Sequence, residues 1–169
     1  MPGQGVPHRA RPTHEASLPV HVVLRRVEEL PSLRTEAIHD ALRDSVHETQ
    51  LDGFRITQYA VRPDQVHLIV EGDDATTLAA GLKGFGVRAA RRLNRVVGRS
   101  GTVWAERHHR RELESPHEVR DTLSYLSPHE VPTSERPPLA APQTWLLREG
   151  WRHDALPDDF RIEGRAAGD

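Results

Sequence analysis

The segment 62–71 constrains the fold more than any other part of this sequence. Its first four residues carry Pro63 at the second position, which is typical of a tight β-turn. The residues that follow alternate in polarity. Because successive strand side chains point to opposite faces, Gln65 and His67 share one face and the apolar residues share the other. We therefore predict a strand over 65–71, paired as a hairpin with a strand over 54–61, whose apolar face consists of Val66, Leu68 and Val70.

Upstream of this hairpin, the sequence predicts one strand and one helix. Alternating apolar residues over 19–27 indicate a first strand. A helix is predicted over 33–51, after the break at Pro31, and Asp52-Gly53 ends it. The expected buried face of this helix comprises Ile38, Ala41, Leu42, Ser45 and Val46.

Downstream of the hairpin, a second helix, a fourth strand and a third helix are predicted. Asp73-Asp74 can cap a helix that runs to about 97, where Gly98 is the expected stop. Residues 101–113 are expected to form a fourth strand or extended ribbon. Ser115-Pro116-His117-Glu118 combines an N-cap serine, a proline at the first helical position and a capping-box glutamate. The expected inward face of the second helix is Leu78, Leu82, Phe85, Ala89, Leu93 and Val96.

This order of elements predicts an α+β fold of the ferredoxin-like βαββαβ type, with an antiparallel sheet and an added C-terminal helix. A chain of 169 residues, 36% of them hydrophobic, can enclose one modest core. We expect one domain over 18–130, an extended C-terminal tail over 131–154 that packs on it, and disordered ends over 1–17 and 155–169. No apolar run approaches the length of a membrane span, which favours a cytoplasmic protein without membrane contact.

Positive charge is concentrated in one window of a chain whose formal net charge is only −2. Between residues 83 and 111, Glu106 is the single acidic residue. Such a local basic surface is typical of phosphate binding, although most charge runs are only solvated faces. The absence of cysteine means that any metal must be held by nitrogen and oxygen ligands. The basic residues of this window are Lys83, Arg88, Arg91, Arg92, Arg95, Arg99, Arg107, Arg110 and Arg111.

Several motifs resemble those of the His-hydrophobic-His single-tyrosine transposases, in particular the REP-associated and transposase-like proteins of bacteria. The strand 63–70 stands where that family has its His-hydrophobic-His strand, except that Gln65 replaces the first histidine. Tyr125 occupies the position of the catalytic tyrosine, and His129 stands where the family usually has Asn or Gln. The resemblance covers roughly residues 18–151 and includes the basic helix and the segment around Trp104.

The resemblance implies metal-assisted attack of Tyr125 on a phosphodiester of single-stranded or hairpin DNA, with a 5′-phosphotyrosine intermediate. It also implies Mg²⁺ or Mn²⁺, held by Gln65, His67 and His129 if amide and imidazole have exchanged positions between strand and helix. The DNA-binding residues implied are Lys83, Arg88, Arg91, Arg92, Arg95, Arg99, Trp104, Arg107 and Arg110.

Other interpretations remain open at this point. Gln65 can also mark a decayed metal site in a catalytically silent, domesticated DNA-binding protein. A small-molecule-binding ferredoxin-like domain is a third alternative. Both monomers and homodimers are compatible with the resemblance, and nothing in the sequence selects one.

Overall fold

The computed structural model describes residues 18–126 and 138–150. Four strands form one sheet in the order β2-β3-β1-β4, and every neighbouring pair is antiparallel. The predicted α+β class, with its antiparallel sheet and βαββαβ order, is confirmed. The elements are β1 Val20–Arg25, α1 Glu36–Glu48, β2 Phe54–Val61, β3 Gln65–Gly72, α2 Ala75–Val97, β4 His109–Glu112, α3 Pro116–Leu126 and α4 Trp145–Gly150.

The two faces of the sheet are covered by different helices. On one face the apolar residues of β1 and β3, such as Val22 and Leu68, pack with α1 and α2 in the larger core. On the other face Ile69 of β3 packs with α3 and α4 in a smaller cluster. The alternation of β3 therefore places His67, two residues before Ile69, on the side of α3. The smaller cluster is Ile69, Leu113, Val119, Leu123, Leu126 and Leu147.

The ends of α2 follow the predicted capping residues, whereas α1, expected over 33–51, is shorter and extends over Glu36–Glu48 with Thr35 and Thr49 as its caps. Asp74 accepts a hydrogen bond from the Thr77 backbone N–H, and Gly98 ends α2 in the left-handed conformation with φ of 74°. The prediction that Val96 is buried is wrong: the buried face of α2 ends at Leu93, and Val96 is 46% exposed. All five residues of the predicted α1 face are buried.

The fourth strand is shorter than the predicted 101–113. Gly101, with φ of 96°, turns the chain, and Trp104 makes only an isolated bridge to Arg26. Regular pairing with β1 begins at His109 and ends at Glu112. The exposed, highly charged residues that precede His109 have no apolar face to bury against the sheet, which is why a strand does not extend through them.

The start of α3 differs from a regular capping box in one bond. The Ser115 hydroxyl accepts from the Glu118 backbone N–H at 3.1 Å, as the sequence predicts. The Glu118 carboxylate, however, accepts from the backbone N–H of Glu114 at 2.7 Å, one residue before the cap, and also binds Arg111. The bond from Glu114 is the main reason why the pKa of Glu118 is lowered.

Glu71 of β3 holds the C-terminal segment against the sheet. Its buried carboxylate accepts hydrogen bonds from the backbone N–H groups of Gln143 and Thr144 and from the Thr144 hydroxyl. Arg55 of β2 completes the set with an ion pair at 2.6 Å. Within the predicted extended tail, residues 138–150 thus end in the short helix α4, which packs against α3 through Leu147. The expected disordered ends over 1–17 and 155–169 lie outside the described residues.

In the described ranges, none of the helices combines the length and the apolar character that crossing a membrane requires.

Candidate functional site

A chain of three polar side chains crosses the α3 side of the sheet. His67 Nε2 lies 3.1 Å from the Gln65 side-chain oxygen, and His67 Nδ1 lies 3.0 Å from His21 Nε2. The β1–β3 register explains this arrangement, because His21 is opposite Ile69 and reaches diagonally to the neighbouring His67. The two imidazole rings stack with centroids 5.3 Å apart. Both nitrogens of His67 are therefore engaged, one by each neighbour.

The two histidines of this polar cluster, His21 and His67, are neutral at pH 7. Burial, followed by His21 and Arg62, lowers the pKa of His67 to about 4, against a raising effect of Asp64. Burial, followed by the charge of Arg111, also lowers the pKa of His21. A neutral imidazole has one N–H and one lone pair. With the Gln65 oxygen as acceptor, these distances correspond to the tautomer of His67 that carries its proton on Nε2 and accepts from His21 Nε2–H on Nδ1.

Tyr125 lies beside His67 at the edge of this polar face. Their rings meet edge to face with centroids 5.8 Å apart. Leu123 and Leu126 anchor the end of α3 in the smaller core, whereas Tyr125 between them is 57% exposed. The phenol is thus placed by its helix but open to a ligand from solvent.

Arg62, in the β2–β3 turn, holds the end of α3 near His67. Its Nη2 donates to the backbone carbonyl of Tyr125 at 2.8 Å, and its Cζ lies 4.6 Å from the centroid of the Tyr125 ring. The contact is a cation–π interaction as well as a hydrogen bond. The Arg62 Nε is buried and has no hydrogen-bond partner among residues 18–126 and 138–150. A fixed positive charge with an unused donor therefore stands next to the phenol.

The predicted metal ligands are described only in part. Two ligands at right angles around an ion, with bonds of about 2.1 Å, lie about 3.0 Å apart. The 3.1 Å between His67 Nε2 and the Gln65 oxygen fits that separation, and an amide oxygen and an imidazole nitrogen without its proton can both bind Mg²⁺ or Mn²⁺. His129, the third predicted ligand, lies outside the described residues. In 18–126 and 138–150, His, Cys, Asp and Glu side chains form no group of three or more able to hold a metal ion.

The nine predicted DNA-binding residues are not brought to one face. α2 packs on the sheet face opposite Tyr125, so the arginines of α2 are separated from the phenol by the sheet. Arg92 pairs with Glu48 of α1, and Arg99 binds Asn94 and the Thr102 carbonyl. Trp104 is half-buried against α2, where its indole N–H donates to the Gly86 carbonyl at 3.0 Å. Exposed members of the set are Lys83, Arg91, Arg95, Arg107 and Arg110.

Three of the exposed members converge at the β4 edge of the sheet. Lys83, Arg107 and Arg110, together with His108, line a groove on the α2 side. Arg107 also lines a smaller pocket on the α3 side, which includes Gln65. This edge therefore connects the basic groove to the polar chain that contains His67. We call the groove lined by Ala79, Lys83, Arg107, His108 and Arg110 the β4-edge groove.

Sequence reasoning assigned no role to two residues of this site, His21 and Arg62. His21 shares a β1 face with Val23 and Arg25, so alternation alone indicates a polar side for that strand. The missing information is that β1 pairs with the edge of β3 opposite β2, in a register that places His21 diagonally from His67. The position of Arg62 in a turn does not indicate that the end of α3 contacts it.

Comparisons with known proteins find the same fold in two solved structures. A REP-associated tyrosine transposase bound to a REP hairpin matches at a TM-score of 0.53 and 15% identity, over 72% of this chain and 70% of that one. A proposed transposase of Deinococcus radiodurans R1 matches at a TM-score of 0.50 and 17% identity, over 68% of this chain and 92% of that one. Neither a family model nor a curated protein matches the sequence. The chain therefore has the fold of these transposase structures, as the resemblance in its motifs predicts.

Proposed function

We propose that this protein is a transposase-like DNA transesterase that uses Tyr125 to cleave and rejoin single-stranded or hairpin DNA. The observation that carries the proposal is the contact between the exposed Tyr125 phenol and the polar face of β3, with rings of Tyr125 and His67 5.8 Å apart. Two further facts support it. The positive charge of Arg62 lies against the same phenol, and the solved structure with the higher TM-score is a transposase bound to a DNA hairpin.

In the proposed reaction, the Tyr125 oxygen attacks the phosphorus of a phosphodiester. The new O–P bond forms as the bond from phosphorus to the 3′ oxygen breaks. The phenol proton passes to solvent, and the leaving 3′ oxygen takes up a proton. The products are a 5′-phosphotyrosine and a free 3′-OH. Attack by a 3′-OH on the phosphotyrosine reverses these changes and rejoins DNA without an external energy source.

The chain's own groups prepare this step. Arg62 fixes the Tyr125 backbone and provides a positive charge where negative charge develops on the phosphate. Gln65 and His67 would hold Mg²⁺ or Mn²⁺, with His129 as the predicted third ligand. Such an ion, when bound, polarises a phosphate oxygen and offsets its charge. Because His67 is neutral at pH 7, binding an ion through Nε2 would require a change of tautomer but not the loss of a proton from the ring.

The β4-edge groove is the proposed path of the DNA backbone. Among the residues that the structure describes, its lining contains Lys83, Arg107 and Arg110 and no acidic side chain. Arg107 borders both this groove and the pocket beside Gln65, so a strand bound along the groove would reach the polar face around the sheet edge. Arg88, Arg91, Arg92 and Arg95 of α2 would contact DNA only behind the sheet, at a distance from the cleavage point.

The test is a covalent-adduct assay with labelled hairpin DNA and Mn²⁺. We expect a protein–DNA band that survives denaturation in the wild type and disappears in Tyr125→Phe. The chain has only two tyrosines, so Tyr59→Phe is the matched control and should retain the band. A band that persists in Tyr125→Phe excludes this nucleophile.

The alternative is a catalytically silent DNA-binding protein, and the observation that favours it is Gln65 itself. The amide oxygen engages His67 Nε2, the atom that the proposed cation needs. Wild-type protein that binds hairpin DNA with a salt-dependent affinity but forms no adduct supports this alternative. Protein without any salt-sensitive DNA affinity points instead to a small-molecule-binding domain.

A further inference from the structure

His21 contacts His67, the proposed cation ligand, and has no role in the proposed reaction. It is half-buried in β1, and its Nε2 lies 3.0 Å from His67 Nδ1. The bond joins two strands and leaves His67 with Gln65 on its other nitrogen. Within the described part of the chain, each ring nitrogen of His67 thus has one hydrogen-bond partner, and each partner restricts which tautomer His67 adopts.

The present hydrogen bonds describe a tautomer that is unable to bind a cation through Nε2. Facing the Gln65 oxygen, His67 Nε2 carries the proton, and Nδ1 accepts from His21. A neutral imidazole that binds a cation through Nε2 carries its proton on Nδ1 instead. That proton needs an acceptor. The only atom that the structure places against Nδ1 in the described residues is His21 Nε2.

We propose that His21 is a positioning residue whose Nε2 accepts the Nδ1 proton of His67 and so holds His67 in the tautomer that binds a divalent cation through Nε2 beside the Gln65 oxygen. Ligating histidines commonly donate their second ring N–H to a partner that fixes their orientation and raises their basicity. Cation binding then exchanges the tautomers of both rings: each proton moves to Nδ1, and neither ring becomes charged. This inference rests on the cation site of the proposed function.

Tautomers provide a readout that does not depend on DNA cleavage. In ¹⁵N-labelled full-length protein at pH 7.5, two-bond ¹H–¹⁵N spectra should show His67 protonated at Nε2 without metal. Saturation with Mg²⁺ should move the proton of His67 to Nδ1 and that of His21 to Nδ1. A proton that stays on Nε2 of His67 overturns the proposal, as does an ion that binds between His21 and His67 and leaves Nδ1 of His67 unprotonated.

Affinity for Mn²⁺, measured by electron paramagnetic resonance of the free ion, supplies the second test. His21→Leu removes the acceptor and should weaken Mn²⁺ binding by about 10- to 100-fold. His21→Gln keeps an amide oxygen near the position of Nε2 and should recover most of the affinity. His47→Gln, on the exposed face of α1, is the matched control and should bind as the wild type does. Equal affinities for all four proteins, or no Mn²⁺ binding by the wild type, contradict the role of His21.

The two proposals fail in different ways. If the wild type binds Mn²⁺ through a site that depends on His21 but forms no adduct with DNA, the positioning role of His21 stands and the proposed DNA cleavage is wrong. If the wild type forms the adduct and His21→Leu binds Mn²⁺ as tightly as the wild type does, the proposed DNA cleavage stands and the positioning role of His21 is wrong.

Discussion

His67 and Tyr125 meet edge to face, with ring centroids 5.8 Å apart, although one belongs to an inner strand and the other to the end of a late helix. The contact depends on the smaller core, where Leu123 and Leu126 fix the end of α3 against the sheet. Arg62 completes it from the hairpin turn by binding the Tyr125 carbonyl. The hairpin that carries Arg62 and His67 and the distant end of α3 thus meet at one small surface, where Tyr125 is exposed to solvent.

Removal of the Arg62 charge should slow adduct formation more than it weakens DNA binding. Arg62→Met loses both the hydrogen bond to Tyr125 and the positive charge over its ring. We expect the single-turnover rate to fall about 100-fold, the usual effect of removing one donor to a developing charge. Arg62→Lys keeps the positive charge but lacks the planar guanidinium, and its single-turnover rate should lie between those of the wild type and Arg62→Met. An unchanged rate in Arg62→Met would exclude this role.

Neutralising the β4-edge groove should reduce the salt dependence of DNA binding. Each phosphate contact with single-stranded DNA contributes about 0.7 to the slope of log affinity against log salt. The triple variant Lys83→Ala, Arg107→Ala, Arg110→Ala should therefore lose about 2 in that slope. Arg43→Ala on α1, where Arg43 pairs with Asp40, is the control and should leave the slope unchanged. Fluorescence anisotropy at several salt concentrations measures it; equal slopes for the two variants argue against the groove.

Stability should fall on acidification because of His67. Its pKa is about 4 in the folded protein and about 6.5 when unfolded, so the unfolded chain binds the proton first as pH decreases. The contribution of neutral His67 to the free energy of unfolding is complete above pH 6.5 and is lost as the pH falls toward 4. The loss is about 2 kcal/mol at pH 5. Urea unfolding with EDTA should show a smaller difference between pH 7 and pH 5 for His67→Asn; an equal difference would refute the assignment.

Glu71→Gln should destabilise the protein strongly. The buried carboxylate accepts three hydrogen bonds from Gln143 and Thr144 and pairs with Arg55, so the amide leaves a charge and donors without a matching acceptor. We expect a decrease of about 3 kcal/mol in the free energy of unfolding. Asp73→Asn is the control, because Asp73 is exposed and contacts the same Arg55. Similar losses for both variants would show that the buried network contributes little.

Two glycines of α2 should respond in opposite directions to alanine. A Cβ at Gly81 would lie 2.2 Å from the Phe54 ring, so Gly81→Ala must displace a core side chain and should destabilise by about 2 kcal/mol. At Gly86 the nearest atom is Trp104 Nε1 at 3.8 Å, and Gly86→Ala should stabilise by up to about 1 kcal/mol through helix propensity. Thermal unfolding compares them. A stable Gly81→Ala protein would mean that Phe54 is not held there.

Several features were predictable from local sequence because local interactions determine them. Pro63 and the alternation after it predict the hairpin, Asp74 and Gly98 predict the ends of α2, and Ser115 predicts the start of α3. Burial of Val96 and a long fourth strand were predicted wrongly. Periodicity indicates which side of an element is apolar, but it does not indicate how far the neighbouring elements extend along it.

The sequence by itself determined the order of elements, the polar face of β3 and the position of Tyr125 on a helix after the sheet. Only the tertiary structure decided that His21 binds His67, that Arg62 holds Tyr125, and that the arginines of α2 lie behind the sheet. The physical reason is that strand pairing and helix packing bring together residues far apart in sequence. Local propensity carries no information about those contacts.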